Sequence, residues 1–243
     1  MGNMEMVRFL VGVLLPYVAL LVFVVGMAYR FWSWKKLASP PMTLFPAPPD
    51  EKANALNTLQ EVVLFKSLFQ GDRVLWVFAW VFHAVLLLIF VGHFRVFTNV
   101  DGLLMKLGMS KDAIQAMSSG AGGVAGVVIM LATVLLLARR MAVPRVREIT
   151  GLADYLALLL IAAIILSGDM MRFGAENVDL LSDTRAYFST LACFGNVTGA
   201  GLLRNNVFLL HMCLALMLIL CIPFSKILHF GGIFFTHQLL RRH

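Results

Sequence analysis

The chain has 243 residues, of which 60% are hydrophobic and 14% charged, and its mean hydropathy is +0.86. A soluble domain carries about a quarter charged residues, so this composition excludes one and defines an integral membrane protein. The net charge of +7 has no soluble basic domain to sit on, which excludes nucleic-acid binding and leaves membrane lipid as the surrounding partner.

Five segments are long enough to cross about 30 Å of hydrocarbon at about 1.5 Å per residue. In chain order they run over residues 7–29, 74–97, 121–138, 152–171 and 206–228. The first is too long for a signal peptide and no small-residue cleavage pattern follows it. No strand-like alternation recurs, so a membrane β-barrel is excluded. The expected fold is an all-α membrane protein, a single domain over 1–243 with five transmembrane helices. Trp32 and Trp34 follow the first span, residue types that gather at the membrane interface. The loop 30–73 holds a proline-rich stretch, SPPMTLFPAPPD, then an amphipathic helix with Leu56, Leu59, Val63 and Leu68 on one face. At the start of the third span, Gly122 and Gly126 have the G-x-x-x-G spacing that lets helices pack closely.

Orientation follows from Lys and Arg. One side collects Arg30, Lys35, Lys36, Lys52, Lys66, Arg73, Arg139, Arg140, Arg145, Arg147, Lys226, Arg241 and Arg242. The other has Arg8, Arg95, Lys106, Lys111, Arg172, Arg185 and Arg204. The excess of basic residues marks the cytoplasmic face, which puts the N-terminus outside, the C-terminus inside and the loop 30–73 in the cytoplasm.

Four histidines lie inside these segments. His83 and His93 are ten residues apart in the second span, and His211 and His229 eighteen apart in the fifth. The second span runs outward and the fifth inward, so the histidines match by depth: His93 with His211 on the outer side, His83 with His229 on the inner. Ten residues rise about 15 Å and eighteen about 27 Å, so the fifth helix must tilt or bend, and Pro223 between its histidines supplies a kink. Eighteen residues make about five turns, which puts His211 and His229 on one face. A lone intramembrane histidine often does no more than bond a carbonyl on a neighbouring helix. Four that match by depth are a costly coincidence, because ionisable groups in the membrane are expensive. His237 and His243 lie beyond the last span and read as surface residues.

Two ligands at each of two levels suit haem better than zinc, which gathers four protein ligands at one point. Haem needs only two axial ligands, and histidine is a common one. Two histidines per iron leave no open coordination position, which favours electron transfer. No C-x-x-C-H is present, so the haems are b-type, and Cys193, Cys213 and Cys221 lack iron–sulfur spacing. The expected cofactors are two haem b, with His83, His93, His211 and His229 as iron ligands. Arg95, Arg172 and Arg204 lie near the outer ends of spans, open to solvation or to pairing with propionates. Asp169, near the outer end of the fourth span, reads as a helix-end carboxylate.

The runs FHAVLLLIFVGHF, AGGVAGVVIMLATVLLLARRMAVPRVREITGLADY and HMCLALMLILCIPFSKILHF, with LLPYVALLVFVVGMAYR, resemble the gamma subunit of respiratory nitrate reductase, a five-helix dihaem cytochrome b. The histidine spacings are the specific part. The long first loop and the ending FSKILHFGGIFFTHQLLRR look more like the cytochrome b subunits of sulfate-reducer redox complexes with a heterodisulfide reductase-like partner. The resemblance implies that the outer haem takes His93 and His211 and the inner haem His83 and His229. It also implies menaquinol or menaquinone as exchangeable substrate, a cytoplasmic iron–sulfur redox subunit as partner, and a place in the bacterial inner membrane within an oxidoreductase complex of anaerobic respiration. Ile114 stands where the family has a quinol-contacting lysine, with Lys111 one helical turn away. A quinone pocket is expected beside Gly92, His93 and Lys111, although Gly92 could equally admit only the porphyrin. Two alternatives stay open: an electron wire from an external multihaem cytochrome c without a quinone site, and a true nitrate reductase gamma subunit.

Overall fold

The computed structural model describes residues 2–36, 51–174 and 180–229, and of 51–55 and 180 the backbone only. The proline-rich stretch and the tail with His237 and His243 lie outside these residues. The described residues are 88% helical, with no strand among them. The helices are α1 (Asn3–Lys36), α2 (Glu51–Leu64), α3 (Lys66–Gly71), α4 (Arg73–Phe97), α5 (Val100–Lys106), α6 (Lys111–Ala142), α7 (Pro144–Glu148), α8 (Leu152–Phe173), α9 (Leu180–Ala192) and α10 (Asn206–Cys221). Five stretches are long and apolar enough to cross a membrane: α1, α4, α6, α8, and α10 together with the turn that carries it on to Phe224.

α1, α4, α6 and α8 run past the apolar segments read from the sequence, α4 and α6 from side-chain caps at their N-termini. α6 starts ten residues ahead of the expected 121. Ser110 caps it by accepting the Ala113 N–H at 3.1 Å, and Asp112 sits in its first turn. α4 is capped by Asp72, which accepts the Leu75 N–H at 2.9 Å. The same carboxylate takes Arg139 from the end of α6 at 2.6 Å, tying the two helix ends together. The Leu75 N–H first, and Arg139 after it, hold the Asp72 carboxyl below the usual carboxylate range.

The spanning helices form an arc in which α4 packs on α6, α6 on α8, α8 on α10, and α10 on α1. α9 lies across the end that carries the N-terminus and packs on α4. Two cores result. One joins Tyr187 and Leu191 of α9 to Leu203, Phe208, Leu209 and Met212, with Val11, Val13 and Tyr17 of α1 against them. The other lies between α4, α6 and α8, around Phe82, Ile129 and Ala132. The opposite helix faces stay exposed, among them Leu20 and Leu21 of α1 and Leu87 and Phe90 of α4. Apolar faces of this extent are what a helix presents to lipid.

α1 is not regular. Residues Leu10–Leu14 form one π turn, and Pro16 follows. Proline has no N–H to offer the carbonyl four residues back, that of Gly12. The Tyr187 hydroxyl fills that role from α9, donating to Gly12 O. One turn further, the Tyr17 hydroxyl donates to Leu191 O at 2.7 Å. Burial pushes the Tyr187 hydroxyl up to about 12, so it keeps its proton and acts as a donor.

The amphipathic helix expected across Leu56–Leu68 is broken. α2 ends at Leu64, Phe65 turns left-handed at φ 52°, and Leu68 belongs to α3. The cause is tertiary. Trp76 and Trp80 donate their indole N–H to Leu64 O at 2.7 Å and to Val63 O at 2.9 Å, so those carbonyls leave the helical ladder. Leu56, Leu59 and Val63 are all exposed.

Candidate metal centres

α4 carries His83 and His93 on the side facing α10. His211 lies in the second turn of α10, a helix capped by Asn205, which accepts the Val207 and Phe208 N–H groups at 3.0 Å each. The route from His211 to His229 differs from a single kinked helix. α10 stops at Cys221, and the chain continues as two short 3-10 turns, Ile222–Phe224 and Lys226–Leu228. Pro223 removes one N–H and its ring collides with the carbonyl four residues back. Ser225 then caps the second turn by accepting the Ile227 N–H at 3.3 Å. Five uniform turns therefore do not separate His211 and His229. Arg30 of α1 fixes the break by donating to Pro223 O at 2.8 Å, and Gly26 leaves the space in which the Pro223 ring sits.

The structure brings the four histidines together as two cross-bundle pairs. The His93 and His211 rings have centroids 6.4 Å apart and planes 14° apart. The His83 and His229 rings are 5.9 Å apart and nearly perpendicular at 88°. A metal–imidazole bond is about 2 Å and a ring centroid lies about 1 Å behind its nitrogen, so two imidazoles on opposite sides of one metal have centroids about 6 Å apart. His83 and His211 are half-buried, while His93 and His229 are exposed.

The Nδ1 atoms define the chemistry of these rings. Nδ1 of His83 meets Ala79 O at 2.7 Å, that of His93 meets Ile89 O at 2.7 Å, and that of His229 meets Lys226 O at 3.0 Å. Nδ1 of His211 meets Ile164 O at 3.1 Å and Ser167 Oγ at 3.0 Å. A carbonyl only accepts, so each Nδ1 carries the proton and each Nε2 keeps its lone pair for a metal. Among the described residues no three His, Cys, Asp or Glu side chains gather as metal ligands. Each pair therefore suits a metal that brings its own equatorial donors, as the iron of haem does.

The remaining candidates sit elsewhere. Gly92 is exposed on α4, with nothing within 4 Å of where a Cβ would be. Lys111 is exposed at the first position of α6, and Ile114 is buried below it. Arg95 is largely buried. It pairs with Asp101 at 2.8 Å, and Arg185 of α9 takes the other oxygen at 2.9 Å. Arg172 donates to Ser118 O at 3.2 Å and Ser119 O at 3.4 Å, with its guanidinium over Gly122. Asp169 lies against Gly126. The two glycines thus form a trough for charged side chains of α8, not a contact between bare backbones. Ser167 was visible in the sequence only as one hydroxyl in an apolar span, and its bond to His211 left no pattern to read.

The described residues thus combine five helical stretches long and apolar enough to cross a membrane with two histidine pairs, which set α4 against α10 and the turns that follow it. Residues 66–243 match the sequence profile of the nitrate reductase gamma subunit, and the chain belongs to that family. It is 29% identical to the cytochrome b-like subunit of the Hdr-like menaquinol oxidoreductase of Archaeoglobus fulgidus, over 95% of this chain and 79% of that one. It is 32% identical to the gamma chain of respiratory nitrate reductase 1 of Escherichia coli, over 63% of this chain and 69% of that one. To the nitrate reductase gamma chain of Bacillus subtilis it is 24% identical, over 89% of this chain and 87% of that one.

Proposed function

We propose that this chain is the membrane-anchoring dihaem cytochrome b subunit of a respiratory redox complex, passing electrons across the membrane between menaquinol and a cytoplasmic iron–sulfur subunit. His93 and His211 hold the outer haem, and His83 and His229 the inner one. The observation that carries the reading is the shared geometry of the pairs, with four Nδ1–H groups spent on protein acceptors and ring centroids 6.4 and 5.9 Å apart. Bound between two histidines, haem iron supplies one-electron transfer with no open coordination position. The protein fixes each ring by a hydrogen bond from Nδ1, which sets the tautomer and raises the basicity of the ligand. The inside position of the His83–His229 end rests on the basic residues that flank it.

The likeness to the Hdr-like menaquinol oxidoreductase subunit over nearly the whole chain supports menaquinol as donor or acceptor. We assign the quinone to the side of α4 at Gly92, an exposed glycine next to the exposed His93. Lys111, the nearest lysine in sequence to the family's quinol-contacting position, supplies a hydrogen-bond donor there. Purified protein should contain two non-covalent haems per chain by pyridine haemochrome analysis. A menaquinol analogue should reduce them, and a quinone-site inhibitor should block that reduction. Covalently retained haem, or fewer than two haems per chain, would refute the dihaem b assignment. Reduction by an external multihaem cytochrome c but not by quinol would replace the quinone reading with the electron wire.

A further inference from the structure

Three of the four histidines hydrogen-bond within their own stretch of chain, to the carbonyl three or four residues back. His211 alone reaches another helix. The carbonyl four residues before it, Val207 O, is not its acceptor. Its Nδ1 faces Ile164 O and Ser167 Oγ of α8, while the Ser167 hydroxyl donates on to Ile164 O at 2.9 Å. Ser167 therefore accepts from the imidazole and passes its own proton to the backbone. Its side chain is 2% exposed, so water does not compete for the bond. Gly168 completes the socket. A Cβ there would lie 3.3 Å from His211 Cε1, tighter than an ordinary contact, so the ring sits against bare backbone.

We propose that Ser167 is the positioning residue of the outer centre, and that with Ile164 O and Gly168 it fixes the ring plane and the basicity of His211. This inference rests on the assignment of His93 and His211 as ligands of one haem. Two consequences follow from the geometry. The outer rings are near parallel and the inner rings near perpendicular. Parallel axial imidazoles split the iron dπ orbitals more than perpendicular ones, so the two ferric centres differ in the anisotropy of their spin-resonance signals. The hydroxyl acceptor also gives His211 added anionic character, which favours ferric over ferrous iron and lowers the potential of that centre alone.

The test is redox titration of the purified haem-loaded protein, followed optically and by electron paramagnetic resonance, for wild type, Ser167→Ala, Ser167→Thr and Gly168→Ala. Ser167→Ala should raise the outer midpoint potential and change the outer low-spin signal, leaving the inner centre as in wild type. Ser167→Thr keeps the hydroxyl and should restore the wild-type potential. Gly168→Ala should alter the same outer signal by pressing on the ring, and it carries the test if Ser167→Ala does not fold. An outer potential and signal unchanged in both Ser167→Ala and Gly168→Ala would overturn the proposal, as would equal shifts of both centres. A His211→Ala variant that loses no low-spin centre would overturn the ligand assignment itself, together with this inference.

Discussion

Tyr187→Phe removes one oxygen atom from the contact between α9 and α1. The ring contacts with Phe188 and Phe208, at 5.0 and 6.4 Å between centroids, remain available to phenylalanine. The change therefore isolates the hydroxyl that donates to Gly12 O. Tyr187 is 2% exposed and Gly12 is buried, so no water replaces the lost donor, and Pro16 offers no N–H. A buried acceptor left without a partner costs about 1–3 kcal/mol. Pro16→Ala tests the cause, because alanine returns the N–H that Gly12 O lacks. In that background Tyr187→Phe should cost less by roughly 1 kcal/mol or more, a coupling of the size seen for groups sharing one hydrogen bond. The measurement is a double-mutant cycle from denaturant unfolding midpoints in detergent, scaled by the measured slopes. Additive effects, within about 0.5 kcal/mol, would refute the argument that proline at 16 creates the vacancy that tyrosine at 187 fills.

The other expectations are briefer. His93→Ala and His211→Ala should each remove the same spectral component, and His83→Ala and His229→Ala the other; loss of one component in both His93→Ala and His83→Ala would break the pairing. Gly26→Ala places a Cβ 2.7 Å from Pro223 Cβ, and a stiff ring cannot move aside cheaply. It should cost about 1–3 kcal/mol as overpacking does, and lower the content of the His83–His229 haem before that of its partner in a reconstitution titration. Asp101→Asn should loosen α9 from α4 by about 1 kcal/mol, since the pairs are partly exposed, read as faster amide exchange in α9. Arg95 first, with Arg185, holds the Asp101 carboxyl below its ordinary value. The stability it contributes is therefore present above the unfolded value of about 4 and is lost as pH falls through the lowered value. The protection factors of the α9 amides, corrected for the intrinsic pH dependence of exchange, should be flat from neutral pH down to about 4 and fall below it.

The spans and the histidine pairs were legible in the sequence because both are periodic. Twenty apolar residues mark a helix whatever its neighbours. The spacings of ten and eighteen, read with the excess of Lys and Arg on one side, match His93 to His211 and His83 to His229 without any contact being known. What could not be read depends on contacts between distant residues. The Ser167–His211 bond joins positions 44 apart and the Tyr187–Gly12 bond positions 175 apart. Neither leaves a periodic trace. α2 and α3 show the same limit, since LQEVVLFKSLF has a continuous helical pattern and is cut by two indole N–H groups that arrive from α4. The glycines of α6 were recognised as small but not for what fills them, because spacing alone does not distinguish an approaching backbone from a seated carboxylate or guanidinium.

Phe65 is pulled in two directions by that cut. Its backbone lies at φ 52°, where any residue other than glycine is strained by roughly 1–2 kcal/mol. Its ring stands edge-on to His83 at 5.2 Å between centroids. Glycine at 65 would relax the chain and strip the imidazole of that neighbour, whereas leucine would keep the strain and lose the flat edge. An aromatic side chain on a left-handed residue satisfies the ring and not the backbone. The segment between α2 and α3 is thus mechanically continuous with a proposed iron ligand, and a displacement of either helix reaches His83 directly through the Phe65 ring and indirectly through Trp76 and Trp80 of its own helix.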